Sequence, residues 1–252
     1  MSKTKPSIYV IYRPLPAALF AVVLTAIAGL AGLMLGVGVA SAVAQRDPGG
    51  GTWDLSNAVT LTGTIVAEPY PMLLPDGGGP GVLLVGIAKS GPDERITSRA
   101  GERVALTGFE LRRDGLRMLS IDDADERAVT DADAATSAPL RAEGRADARP
   151  LGRHTIDTQL LDSKCYLGAM MPGEGEGHRA CAILCVRGGV PPMIAWRDES
   201  GESRYALVTA ADGGVMPAEL LDAIGRPVVV TGDVSARDGW LWIAVESAGV
   251  IR

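Results

Sequence analysis

All three cysteines of the chain and one of its two histidines fall within one short stretch, as Cys165, His178, Cys181 and Cys185. Thiolates and an imidazole are a ligand set for zinc or copper(I), and thiols alone can pair as a disulfide. If residues 177–187 are helical, His178, Cys181 and Cys185 stand at i, i+3 and i+7, within about one sixth of a turn. Three soft ligands then share one face. The helix is expected because Ala180, Ala182, Ile183 and Leu184 suit it, while Gly188-Gly189 and then Pro191-Pro192 stop it. Cys165 follows an apolar run over residues 155–161 and must fold back over that face, which the glycine-rich connection 170–177 allows. Asp162, Lys164 and Tyr166 flank Cys165. Near the site they would support or pair with the ligands; otherwise Asp162 and Lys164 cap or solvate the strand end.

Three chemistries compete for the cluster. One is a Cys3His metal site holding zinc or copper, although the spacing is not that of a zinc finger. The second is a disulfide of Cys165 with Cys181 or Cys185, since cysteines four apart on one helix are poorly placed to bridge each other. It would leave one thiol over. The third is packing, because a free cysteine is a small apolar residue. Enzymatic signatures are sparse: there is no nucleophile elbow, no H-E-x-x-H and no C-x-x-C-H, and Gly173, Gly175 and Gly177 lack the strand and spacing of a dinucleotide loop. A non-catalytic role is the expectation.

The compartment is read from the first fifty residues. Lys3, Lys5 and Arg13 precede about thirty residues without a charge, Leu15 to Ala44. That run exceeds the roughly 20 residues that span a bilayer and the 7–15 of a signal-peptide core. A single-pass anchor of the cytoplasmic membrane is expected, its amino end inside by the charge asymmetry and all that follows in the periplasm or outside. Ala40-Ser41-Ala42 and Ala42-Val43-Ala44 resemble signal-peptidase sites and would, if cut, release the exported part. Ala28, Gly32 and Gly36 form a small-xxx-small pattern that suits helix–helix association. A net charge of −6 with no long basic run argues against nucleic acid.

The exported part reads as mainly β. Residues 59–66 alternate as a strand, 82–88 form a buried one, and 102–110 and 116–121 flank the hairpin signal Asp114-Gly115. Residues 101–115 align without a gap with residues 225–239, matching both Gly and Val starts, both Thr-Gly pairs and both Asp-Gly turns. Earlier strands correspond more loosely, 61–66 with 156–161 and 82–88 with 193–196. An internal repeat of two small OB-like β-barrels is therefore expected, the second carrying the Cys/His segment as a short helical insertion. Trp240 and Trp242, on one side of a strand, read as core or barrel-mouth residues. The organisation is a cytoplasmic N-terminus (1–14), transmembrane anchor (15–44), tether (45–56), first barrel (57–122), solvated linker (123–150) and second barrel with the insertion (151–252).

Asp162-Ser163-Lys164-Cys165-Tyr166-Leu167, His178 to Cys185 and the Gly-Gly-Val-Pro-Pro that follows resemble a group of uncharacterised bacterial exported OB-fold-like proteins with a D-x-x-C-Y-L … H-x-x-C-A-x-x-C motif. The resemblance covers roughly residues 155–250. It implies an exported barrel module with the three cysteines and His178 as its signature, and no activity. The first copy lacks every signature residue, with Tyr70 at about the position of Cys165. Together these features point to an anchored binding or accessory module partnered by a membrane or periplasmic protein, with a thiol–disulfide redox protein and a structural subunit of a membrane complex as the alternatives.

Overall fold

The computed structural model describes residues 9–10, 13–14, 16–44, 50–132 and 148–251, and divides into two compact units, Met1–Pro48 and Gly49–Arg252. In the first, helix α1 runs Ala17–Ala44 without an ionisable side chain. Leu19, Val22, Ile27, Leu30 and Leu33 are exposed around it, so the helix is apolar on every side. Its length, about 42 Å at 1.5 Å per residue, exceeds the roughly 30 Å of a hydrocarbon core, and it is long and apolar enough to cross a membrane. Lys3 and Lys5, and residues 45–49 of the expected tether, lie outside the described residues.

The second unit consists of two closed five-stranded barrels. The first contains β1 (Val59–Val66), β2 (Met72–Pro75), β3 (Val82–Gly86), β4 (Arg103–Arg113) and β5 (Leu116–Ile121), with the short helix α2 (Glu94–Thr97) before β4. The second contains β6 (Arg149–Asp162), β7 (Pro192–Arg197), β8 (Ser203–Ala210), β9 (Pro227–Arg237) and β10 (Trp240–Val250); helix α3 (Arg179–Arg187) lies between β6 and β7. Each ring closes in the same order, first-second-third-fifth-fourth-first, with the third and fifth strands parallel. This is the OB-like arrangement expected from the sequence.

The registers also correspond. Met72 pairs with Leu83 and Leu83 with Met118; in the second barrel Met193 pairs with Leu207 and Leu207 with Trp242. This corrects one strand equivalence. Residues 193–196 belong to the second strand of their barrel and match Met72–Pro75, whereas Val82–Gly86 matches β8, a strand the sequence does not announce. The segment expected as a solvated linker also contributes structure: Val129–Asp131 pairs with β4, and Ala128 is buried. Residues 133–147 of that segment lie outside the described residues.

Both Asp-Gly hairpins have positive φ at both central residues, 48° and 82° at Asp114-Gly115 and 54° and 79° at Asp238-Gly239, which is the type I′ turn that fits strand twist. The repeated Thr-Gly pairs have a packing reason. A Cβ on Gly232 would stand 2.2 Å from the Ala244 carbonyl oxygen, and one on Gly108 2.6 Å from that of Ser120. Gly232→Ala is expected to lower the stability of the second barrel by about 1–3 kcal/mol through this overpacking, read as a fall in the denaturant midpoint at unchanged slope.

Three cores result from strand alternation. Ile65, Leu73, Leu84 and Leu106 fill the first barrel; Leu160, Ile194, Val208 and Ile243 fill the second. The third lies between them, where Met72, Leu83 and Met118 meet Met193, Leu207, Trp240 and Trp242. The hairpin of each barrel reaches the start of the other's third strand: Tyr205 donates to the Asp114 carboxylate, and the Gly81 amide donates to the Asp238 carbonyl at 2.7 Å. Gly81 and Tyr205 occupy equivalent positions, so the barrels contact each other with near two-fold reciprocity. Cys165, Tyr166, Leu167 and Cys185 belong to this shared core, so the insertion is wedged between the barrels.

Candidate metal centre

Strand β6 delivers Asp162, fully buried, to the start of the insertion. One carboxylate oxygen accepts the Cys165 amide at 2.8 Å and so turns the chain, as a capping aspartate does. The other accepts from His178 Nε2 at 3.0 Å. A wide turn over Cys165–Ala169 follows, and the glycine-rich loop returns beneath it: a Cβ on Gly173 would stand 2.5 Å from the Cys165 carbonyl oxygen. Helix α3 then begins at Arg179 with His178 at its N-cap in helical backbone geometry. The periodicity expected from the sequence therefore extends through His178, and His178, Cys181 and Cys185 share one face.

The ligand atoms form two overlapping triads. Those of Cys165, His178 and Cys181 lie within 4.8 Å of one another, as do those of Asp162, Cys165 and Cys185. A tetrahedral ion about 2.3 Å from each sulphur sets its ligands roughly 3.8 Å apart, so each triad needs to contract by about 1 Å at most. With Nε2 engaged by Asp162, Nδ1 is the histidine nitrogen left for an ion, and the aspartate fixes the ring as carboxylate–histidine pairs do in metal sites. Cys165, common to both triads, is the pivot. All three cysteines are free thiols.

The sulphurs also act on one another. Cys185 is held below the ordinary thiol range because Cys165, and then Cys181, hydrogen-bonds to it; Cys165 is pushed up by that same bond and by burial. The lowered Cys185 is thereby favoured as thiolate, the form that binds metal or attacks a disulfide.

The other flanking residues differ from one another. Lys164 is not at a solvated strand end. It is 3% exposed, and its Nζ donates to the carbonyls of Gly86, Ile87 and Ala88 at 2.6, 2.7 and 2.7 Å, with the Trp53 ring 5.2 Å away. Tyr166 contacts the first barrel: its carbonyl accepts from Arg113 at 2.8 Å, and the guanidinium lies 3.8 Å over its ring. Tyr70 sits in the short loop Ala67–Pro71 that replaces the insertion in the first barrel. Its hydroxyl donates to the Val208 carbonyl and accepts the Met216 amide, bridging to the second barrel.

One site residue carries no sequence signal. Lys89, in the first barrel's loop after β3, is raised above the ordinary lysine range by the Cys181 thiol first and by those of Cys185 and Cys165 after it. Its loop reaches the site because glycines line the approach: Gly91 N donates to Gly188 O at 2.7 Å, and a Cβ on Gly188 would fall 1.8 Å from the Lys89 carbonyl oxygen. Gly188 thus ends α3 and also admits the neighbouring barrel. Comparison of the chain with protein-family models, with curated proteins and with solved structures gives no match.

Proposed function

We propose that the chain is a membrane-anchored, extracytoplasmic binding module that holds one thiophilic metal ion, zinc or copper(I), through Cys165, His178, Cys181 and Cys185. The observation that carries this reading is the convergence of two ligand triads on Cys165 beside a histidine already oriented by a buried carboxylate. An isolated packing role would not call for the buried Asp162–His178 pair, whose desolvation is costly without a further partner. Helix α1 would anchor the module and leave the barrels outside the cytoplasmic membrane, facing a membrane or periplasmic protein. The matching strand orders support an internal duplication in which the second copy acquired the insertion. We take the motif to mark a group of exported OB-like proteins that share it.

The hydrogen bonds onto Cys185 favour a second reading, thiol–disulfide exchange. In it Cys165 and Cys185 would lose two electrons and two protons in forming an S–S bond, while a partner's disulfide is reduced to two thiols. One measurement separates the two. The full chain in detergent, purified without chelator, is expected to carry one ion per chain, with its thiols protected from alkylation until the ion is stripped. No ion together with a single alkylatable thiol would sink the metal reading and leave a disulfide protein.

A further inference from the structure

The four ligands proposed above are not equally enclosed. Cys165 is 4%, Cys185 1% and His178 6% exposed, with Asp162 fully buried beside the ring, whereas Cys181 is half-buried. Helix geometry explains the difference. Along α3, His178, Ala182 and Cys185 are buried, while Ala180, Leu184 and Arg187 are exposed. Cys181 lies about 40° around the helix from Cys185 and about 60° from Leu184, so it stands on the boundary between the two faces. Its sulphur still belongs to the ligand set, within 4.8 Å of the ligand atoms of Cys165 and His178.

The other two sulphurs are closed in by the chain itself. Gly173 packs beneath the Cys165 carbonyl, where a Cβ would stand 2.5 Å away. Beyond α3 the chain returns the Val190 amide to the Cys185 carbonyl at 3.0 Å, and Val190 is 1% exposed. A ligand at the boundary is the one that an incoming donor can displace while the rest still hold the ion. Reaching a buried ligand first requires the fold to open locally. The donor must itself be soft, since only sulphur competes well for a thiophilic ion already held by thiolates.

We infer that Cys181 is the exchange ligand of the site, and that the module passes its ion to and from a partner offering cysteine thiols, sulphur to sulphur. In the first step a partner S–metal bond forms, the Cys181 S–metal bond breaks, and the proton of the partner's thiol passes to the freed Cys181 thiolate. No electrons change hands, and substitution of the remaining ligands completes the transfer. This rests on the metal reading above and adds to it the point of exit and the class of partner.

The test uses the full chain in detergent. In the ion-free protein, limiting iodoacetamide followed by peptide mass mapping is expected to label Cys181 about tenfold faster than Cys165 or Cys185, because the buried pair reacts only through local opening. Thiolate character alone would label Cys185 first. In the cobalt(II)-loaded protein, decay of the Co–S charge-transfer band on adding a synthetic four-cysteine peptide is expected to be first order in peptide. Cys181→Ser is expected to raise that second-order rate constant about tenfold, since a weak ligand then holds the outward coordination position. Cys185→Ser removes a ligand at a buried position; it is expected to lower affinity comparably and to leave the peptide-dependent rate within about twofold. Labelling led by Cys165 or Cys185, or cobalt(II) release independent of peptide concentration, would overturn the inference while the metal reading stands. If the parent binds no ion at all, both fall.

Discussion

Cys165→Ser is expected to weaken ion binding by about two orders of magnitude, more than the same change at Cys181 or Cys185. The reason is its position: Cys165 is the one ligand common to both triads. Structural zinc sites bind with roughly 10–16 kcal/mol, so one of four ligands contributes about 3 kcal/mol, and each 1.4 kcal/mol is tenfold in affinity. Serine is nearly isosteric, and its amide would still donate to Asp162, so the fold should survive and the loss should be confined to the ion. Asp162→Asn tests the layer beneath. It keeps an acceptor for the Cys165 amide but turns an N–H2 toward His178 Nε2, so the ring loses its fixed orientation. A ten- to hundredfold loss is expected, with all four ligands still in place. Competition against a chelator of known affinity reads both variants. A Cys165→Ser protein that binds as tightly as the parent would remove the site from these residues.

The parts of this site that can be read in the sequence are those with a local period. His178, Cys181 and Cys185 lie on one helix, and helical spacing with a Gly-Gly stop is enough to announce their common face. The Asp-Gly hairpins and the repeated Thr-Gly pairs are likewise local. Strand β2 is hidden because it is four residues long within a Pro- and Gly-rich stretch, its side chains buried by neighbours distant in sequence. Strand β8 is hidden because Tyr205-Ala206-Leu207-Val208 is an unbroken apolar run, buried on both faces where two cores meet. Without alternation it has no period of two. Missing it shifts the equivalence of residues 193–196 by one strand.

The second layer of the site is illegible for a different reason. Lys164 is stabilised by carbonyls 76 to 78 residues away, and Lys89 comes under the influence of Cys181 only because the barrels pack together. No composition or spacing near either lysine separates a caged ammonium from a solvated one. Lysine is almost never fully buried unless paired, which is why solvation is the natural expectation, and here the pairing is made by backbone oxygens of another barrel. Asp162 belongs to the same class. Its type allows a cap or a site partner, and the structure makes it both, with one oxygen for each task.

Because the insertion is part of the core between the barrels, a change far from the ligands should reach the ion. Trp240 is 1% exposed, and its Nε1 donates to the Gly81 carbonyl at 2.7 Å. Trp240→Ala is expected to cost about 3–5 kcal/mol for the cavity, with a further 1 kcal/mol or so for the orphaned carbonyl. Trp240→Phe keeps most of the packing and should lose little more than that hydrogen bond. If the shared core makes the barrels one folding unit, the parent unfolds in a single transition and Trp240→Ala moves the whole of it. An Ile243→Ala change, inside the second barrel and of similar cost, provides the control. Both should lower the thermal midpoint, but only Trp240→Ala should also weaken ion binding, since Trp240 packs in the cluster that contains Cys165 and Cys185 while Ile243 does not. The linkage runs both ways: an ion at a hundred times its dissociation constant stabilises the native state by about 2.7 kcal/mol, so saturating zinc(II) should recover roughly half of the Trp240→Ala deficit. Two separate unfolding transitions, with ion binding indifferent to Trp240, would show instead that the barrels are independent and that the insertion is held by the second alone.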